Sequence, residues 1–332
     1  MILDVINVMN EKILFFMNKI YDGIYGFAVG DALGVPIKNT NRSKLRLSPV
    51  EDMFGYGYYD APTGTWSENT SLMLSAIDSI VENDGINYDD LIFKMYNYFE
   101  YNNYKTNYDI FKLSDANKNA IFNYKSGVSS LECGNNVSID CSCLSRIVPL
   151  VYYLDSNDYT IDEEVNLVND VCSISHMNEI NKFGCMIFTD YTKQLLSGVD
   201  KFEALNFVRN REYSKYYSDY CISLYDRILS EDFSNIEMYK IKSDDDIVNT
   251  LEASLWSFLN GKDYEECLVK AINLGNNTDM IGAITGLWCG ISFGNQYMPQ
   301  RWFNKLKGKE ILNNMSVEFN AILNDKDKGR TR

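Results

Sequence analysis

Apolar positions recur at helical spacing along most of the chain. Ile247, Leu251, Leu255 and Phe258 form one stripe, and Val165, Val168, Val171 and Cys172 form another. The same period predicts helices over about 70–83, 89–100, 144–154, 183–197, 219–230 and 264–274. Strand-like alternation is confined to short pieces, with no βαβ rhythm. The expected fold is therefore all-α, a single compact multi-helix bundle spanning residues 1–332. Ile2, Val5, Ile6, Met9, Ile13, Phe16 and Ile20 predict an amphipathic helix over 1–20 that packs on the body. Residues 306–332 read as a C-terminal extension with a flexible end.

Glycines add a second pattern. Gly26, Gly30 and Gly34 lie four apart, as do Gly282, Gly286, Gly290 and Gly294. On a helix this spacing stacks them on one face, where missing side chains let two backbones approach. Each glycine inside a helix costs about 1 kcal/mol, so the repeat needs a packing reason. The expectation is that these two helices form the centre of the domain.

Composition narrows the function. With 332 residues, 45% hydrophobic and 23% charged, the chain can bury a sizeable core. Its net charge of -15, with no basic cluster, argues against nucleic acid and against anionic membranes as partners. The longest apolar run, Met280 to Phe293, falls short of the roughly 20 residues a membrane span needs. Charged residues interrupt the N-terminal apolar positions, so no secretory signal is read there, and a cytoplasmic location is expected. Eight cysteines then read as thiols filling the core. Cys133, Cys141 and Cys143, taken with the single histidine His176, match no standard zinc spacing.

Two polar loops each open an apolar helix. One is Thr63-Gly64-Thr65-Trp66-Ser67-Glu68-Asn69-Thr70; the other is Asn273-Leu274-Gly275-Asn276-Asn277-Thr278-Asp279-Met280. Either alone reads as helix capping, since Ser, Thr, Asp and Asn are the preferred N-caps. Together they suggest a shared polar site. The aromatic run Phe54-Gly55-Tyr56-Gly57-Tyr58-Tyr59 could cover a cleft or stack on a base.

At these loops the chain resembles the ADP-ribosylglycohydrolase family. Gly26-Phe27-Ala28-Val29-Gly30-Asp31-Ala32-Leu33-Gly34 resembles its opening helix, and Gly64 to Thr70 its Gly-x-Trp-Thr-Asp-Asp-Thr loop. Arg146-Ile147-Val148-Pro149-Leu150 with Ser175-His176 is similar to the central blocks, and Thr250 through Asn273-Leu274-Gly275 to Gly286 to the closing one. Four blocks in the family's order, over about residues 20–305, are more specific than any single motif. The resemblance implies an all-α fold and hydrolysis of glycosidic bonds of ADP-ribose. It also implies two Mg²⁺ ions held by carboxylates and Thr hydroxyls, which suits a hard cation.

The departures fall on the ligands that the resemblance implies. Thr-Asp-Asp becomes Ser67-Glu68-Asn69, and the closing Asp-x-Asp-Thr becomes Asn277, Thr278, Asp279, Met280; Lys38 aligns with a glutamate. Glu68 and Asp279 are the residual carboxylates, and so the candidate catalytic pair. Ser67, Glu68 and Asp279 could form at most one weak metal site. Trp66, Ser67, Asn69, Asn277, Ser142, Arg146, His176 and Lys38 complete the candidate ligand-binding set. Lys38 is read either as an exposed lysine or as an ammonium replacing one metal charge, and Asp31 as a buried carboxylate bonded to nearby backbone. With two carboxylates in place of five, no resident cofactor is expected and Mg²⁺ at most weakly. The expectation is a family member that binds ADP-ribose or a related nucleotide sugar, with or without a protein partner, and has lost two-metal catalysis. The alternative is a hydrolase using one metal or none.

Overall fold

The computed structural model describes residues 19–106, 113–230 and 232–329. The amphipathic helix expected over 1–20 lies almost wholly outside them. Helix α1 is described over 19–34. It is followed by α2 (Glu68–Asn83), α3 (Tyr88–Tyr101), α4 (Asp115–Lys125), α5 (Leu144–Asp155), α6 (Ile161–Ser173) and α7 (Glu179–Leu196). The remaining long helices are α8 (Lys201–Asn210), α9 (Ile247–Asn260), α10 (Tyr264–Ile272), α11 (Thr278–Phe293) and α12 (Lys309–Gly329). No strand forms among the described residues; two isolated backbone bridges, Asn135 with His176 and Asp140 with Asp246, pin the loop before α5. No described helix is long and apolar enough to cross a membrane.

The glycine repeat works as its spacing suggests. α1 and α11 run antiparallel with backbones in contact along their length. A Cβ on Gly30 would sit 1.9 Å from the carbonyl oxygen of Gly282, and one on Gly286 would sit 2.1 Å from that of Gly26. Only hydrogen fits at these positions. The side chains that remain, among them Phe27, Ile281, Leu287 and Trp288, are fully buried. Gly294 leaves the pattern: its φ of +85° ends α11 in a conformation few side chains adopt.

Two segments differ from the sequence reading. The helix expected over 219–230 is broken into Asp219–Ser223 and Asp226–Leu229, because Tyr225 turns inward to donate to the Ile180 carbonyl. Residues 309–329 are not a loose extension but helix α12, which buries Leu312, Phe319 and Leu323 against the body; 330–332 lie outside the described residues.

Candidate functional site

The two polar loops come together around Lys38, with Glu68 of one in the electrostatic field of Asp279 of the other, and the contacts that tie the segment after α1 to the closing loop begin in the backbone. After α1 the chain makes a short turn, Val35–Ile37, and reaches Asn39 with φ +59°. The Asn39 amide donates to the Asn276 carbonyl at 2.7 Å, and the Asn276 amide donates to the Thr40 carbonyl at 2.9 Å. The Thr278 hydroxyl donates to the Gly34 carbonyl at 2.7 Å. Lys38 is thereby held over the N-terminus of α11. Its ammonium donates to both Asp279 oxygens, at 2.7 and 2.5 Å, and to Asn277 Oδ1 at 3.3 Å. Asp279 is fully buried, while the Lys38 side chain keeps 17% exposure.

Glu68 opens α2 and is buried within electrostatic reach of both Lys38 and Asp279. Burial pushes its carboxyl up to about 7, with Lys38 opposing and Asp279 adding to the rise. Burial would lower Lys38, but Asp279 and Glu68 hold it well above its ordinary range. Tyr59 is in the same field and packs on Val35 and Ala61. The segment carrying it is fixed by Tyr58 donating to the Pro36 carbonyl at 2.8 Å.

Asp31 behaves as a structural carboxylate. It accepts from Ser67 N and Thr70 N at 3.1 Å and from both hydroxyls at 2.7 Å, so it caps α2 from a neighbouring helix. Burial, with Asp279 adding to it, still pushes Asp31 up to about 7 against these four bonds. Ser67 Oγ, besides donating to Asp31, accepts from Asn69 N at 3.1 Å. Two side-chain atoms at the start of α2, Glu68 Oε2 and Asn69 Nδ2, are buried without a hydrogen-bond partner.

The central block lies behind this group rather than in it. The 141–143 turn touches the closing loop through Asn277 Nδ2, which lies 3.2 Å from Cys141 Sγ and donates to Thr250 Oγ1 at 3.0 Å. Ser142 bonds Asp140 and Ser114. Arg146 and His176, expected to bind ligand, are instead buried scaffold. Arg146 donates to Asn117 and Ser175, and His176 Nδ1 pairs with Ser175 Oγ at 2.7 Å. His176 Nε2 lies 3.2 Å from Asp140 Oδ1. Burial alone would raise Asp140, but His176, Ser142 and Ser138 hold it below the usual carboxylate range. The histidine thus has a Ser partner in the adjacent residue. Trp66, the other candidate wall, is also core: it donates to the Tyr104 carbonyl and packs on Gly308.

Against this geometry the comparisons with known proteins can be placed. A sequence model of the ADP-ribosylglycohydrolase family matches residues 13–328. The chain belongs to the ADP-ribosylglycohydrolase family. One relative is the ADP-ribosylarginine hydrolase Tri1 of Serratia proteamaculans, 22% identical over 317 residues, covering 94% of this chain and 81% of that protein. The ADP-ribosyl-[dinitrogen reductase] glycohydrolase of Rhodospirillum rubrum is 31% identical over 75 residues, 23% of this chain and 26% of the other. A solved structure described as an ADP-ribosylglycohydrolase-related protein complex superposes with a TM-score of 0.78 at 21% identity, over 93% of this chain and 99% of that one, and supports the all-α fold.

Several of the groups that would hold the Mg²⁺ implied by the family resemblance have other protein partners. The Asp279 carboxylate is spent on an ammonium, the Ser67 hydroxyl is committed to Asp31 and Asn69 N, and Asn277 uses its amide on Thr250 and Cys141. The position of the closing threonine holds the buried thioether of Met280, a poor partner for a hard cation.

Proposed function

We propose that this ADP-ribosylglycohydrolase-family chain binds ADP-ribose, or a closely related nucleotide sugar, without a divalent metal, and that its hydrolytic activity is weak or lost. One arrangement carries the reading. The Lys38 ammonium sits on Asp279 as a built-in cation, and beside it Glu68 Oε2 and Asn69 Nδ2 are an acceptor and a donor with no partner. Buried polar atoms are nearly always satisfied, so an unpaired acceptor and donor at a family site call for a polyhydroxylated ligand. Lys38, Glu68, Asn69, Asn277 and Asp279 are the residues proposed to face it, with Ser142 at the edge. Ser67 supports Asp31 and the helix start.

A second reading has its own support. Glu68, pushed to about 7, can exchange a proton near neutrality, as a general base or acid must. A slow metal-free hydrolysis of an ADP-ribosylated side chain, such as the arginine named for the Tri1 relatives, would use that group. The two are separated by titrating ADP-ribose into the protein by calorimetry, with EDTA and with Mg²⁺, and by following ADP-ribose release from ADP-ribosylated arginine. Binding of equal strength in both buffers with no release supports the first proposal. Release that survives EDTA and disappears in Glu68→Gln supports the second, and binding that requires Mg²⁺ overturns both.

A further inference from the structure

Away from the charged group, three thiols from three different elements converge. Cys143 ends the 141–143 turn, Cys172 lies in the last turn of α6, and Cys185 lies in the second turn of α7. Their sulfurs all lie within 4.8 Å of one another, and Cys143 Sγ is 3.6 Å from Cys185 Sγ. All three are free and buried. Four thiolate or mixed ligands around Zn²⁺ at about 2.3 Å place neighbouring sulfurs about 3.8 Å apart, so the sulfurs already stand close to ligand spacing.

Two further features suit metal-bound thiolates there. Arg146 is fully buried, and its hydrogen bonds go only to the neutral Asn117 and Ser175, with Nε unpartnered. No carboxylate lies within ion-pair distance of it among the described residues. A buried guanidinium needs negative charge nearby, and the three thiols are its neighbours, with Asp140, itself paired with His176, in the same field. Three thiolates, one Zn²⁺ and one guanidinium sum to zero charge. The second feature is Asn181, fully buried, with Nδ2 3.7 Å from Cys143 Sγ and Oδ1 without a hydrogen-bond partner. Its amide offers an uncommitted oxygen beside the sulfurs.

We propose that Cys143, Cys172 and Cys185 form a structural Zn²⁺ site, with the Asn181 amide next to it. The site is separate from the charged group at Lys38 and does not depend on the function proposed above. Because it is closed to solvent, the metal enters during folding, as in other structural zinc sites. It would tie the start of α5 to α6 and α7, and with them the turn carrying Asp140 and Ser142. The cysteines that the sequence groups together, Cys133, Cys141 and Cys143, are not the set: Cys133 Sγ bonds the Val128 and Ser129 carbonyls, and Cys141 faces Asn277.

The test uses the full-length chain prepared under reducing conditions and desalted against a mild chelator. Elemental analysis is expected to find about one zinc per chain. Cys143→Ser/Cys185→Ser should lose it, and Cys133→Ser should keep it. Should the double variant fail to fold, wild type refolded with Cd²⁺ is expected to show the near-ultraviolet thiolate-to-metal band. Wild type that folds to its native melting temperature without zinc and gives no such band with Cd²⁺ overturns the proposal. So does a folded double variant that retains its full zinc content.

Discussion

Replacing Lys38 by Met tests the charge balance on which the functional proposal rests. The substitution keeps an unbranched side chain one atom shorter and removes the ammonium from a fully buried Asp279, leaving that carboxylate beside Glu68 and Asp31. Removing one partner of a buried ion pair costs about 3–5 kcal/mol. Lys38 is 17% exposed and Asp279 keeps a 2.9 Å bond from Met280 N, so about 2–4 kcal/mol is the better figure. For 332 residues the unfolding entropy is about 0.7 kcal/mol/K, which converts this to a fall in Tm of about 3–6 °C. The deficit should depend on pH. A carboxyl whose folded pKa lies above its unfolded value stabilises fully below the unfolded pKa, and the contribution is lost as pH rises through the folded one. For Glu68 in wild type that window runs from 4.5 to about 7. Without Lys38 its upper edge moves higher, so the gap between variant and wild type should widen as pH rises above about 7. Differential scanning fluorimetry across this range reads both effects. A variant melting with wild type at the alkaline end would refute the reasoning, as would a gap that narrows with rising pH.

Other outcomes follow from the same contacts. The quadruple variant Lys38→Glu, Asn69→Asp, Asn277→Asp, Met280→Thr should melt below wild type without metal and recover with added Mg²⁺, whereas wild type should give a flat Mg²⁺ curve; two flat curves would mean the loops no longer present a metal geometry. Asp31→Asn leaves one carbonyl oxygen for four donors and should lower stability by about 2–4 kcal/mol in urea unfolding at pH 8, and a loss below about 1 kcal/mol would remove Asp31 from its role at α2. Gly30→Ala should yield no stably folded protein or lose more than about 3 kcal/mol, while Gly85→Ala, with nothing nearer than 3.5 Å, serves as the tolerant control.

The helical period and the glycine spacing were readable because burial on one face leaves a regular trace in sequence. The meeting of residues 67–69 with 277–279 was readable only through the ordered family blocks; neither loop announces its partner. Lys38 reads in sequence either as an exposed lysine or as a substitute cation, and its pairing with Asp279 rests on the backbone bond between Asn39 and Asn276, which no local pattern announces. Trp66, Arg146 and His176 were placed in the site because a polar or aromatic residue looks the same in sequence whether it meets ligand or satisfies the core. The Asp140 partner of His176 lies in a distant loop brought near by an isolated bridge between Asn135 and His176. Cys143, Cys172 and Cys185 share no short spacing, so their convergence is a property of how the 141–143 turn packs against α6 and α7.

The bare backbone contact between α1 and α11 also acts as a caliper. Lys38 follows four residues after Gly34, and Asp279 is the second residue of α11, where a Cβ on Gly34 would lie 2.2 Å from the Thr278 carbonyl oxygen. The separation of ammonium and carboxylate is therefore set by how closely two chains of hydrogen atoms can lie, not by the polar residues themselves. A methyl group introduced about two turns away, at Gly26 or Gly286, would act on the ion pair as a wedge acts on the jaws of a clamp. A substitution at these glycines would therefore disturb the Lys38–Asp279 pair without touching either residue.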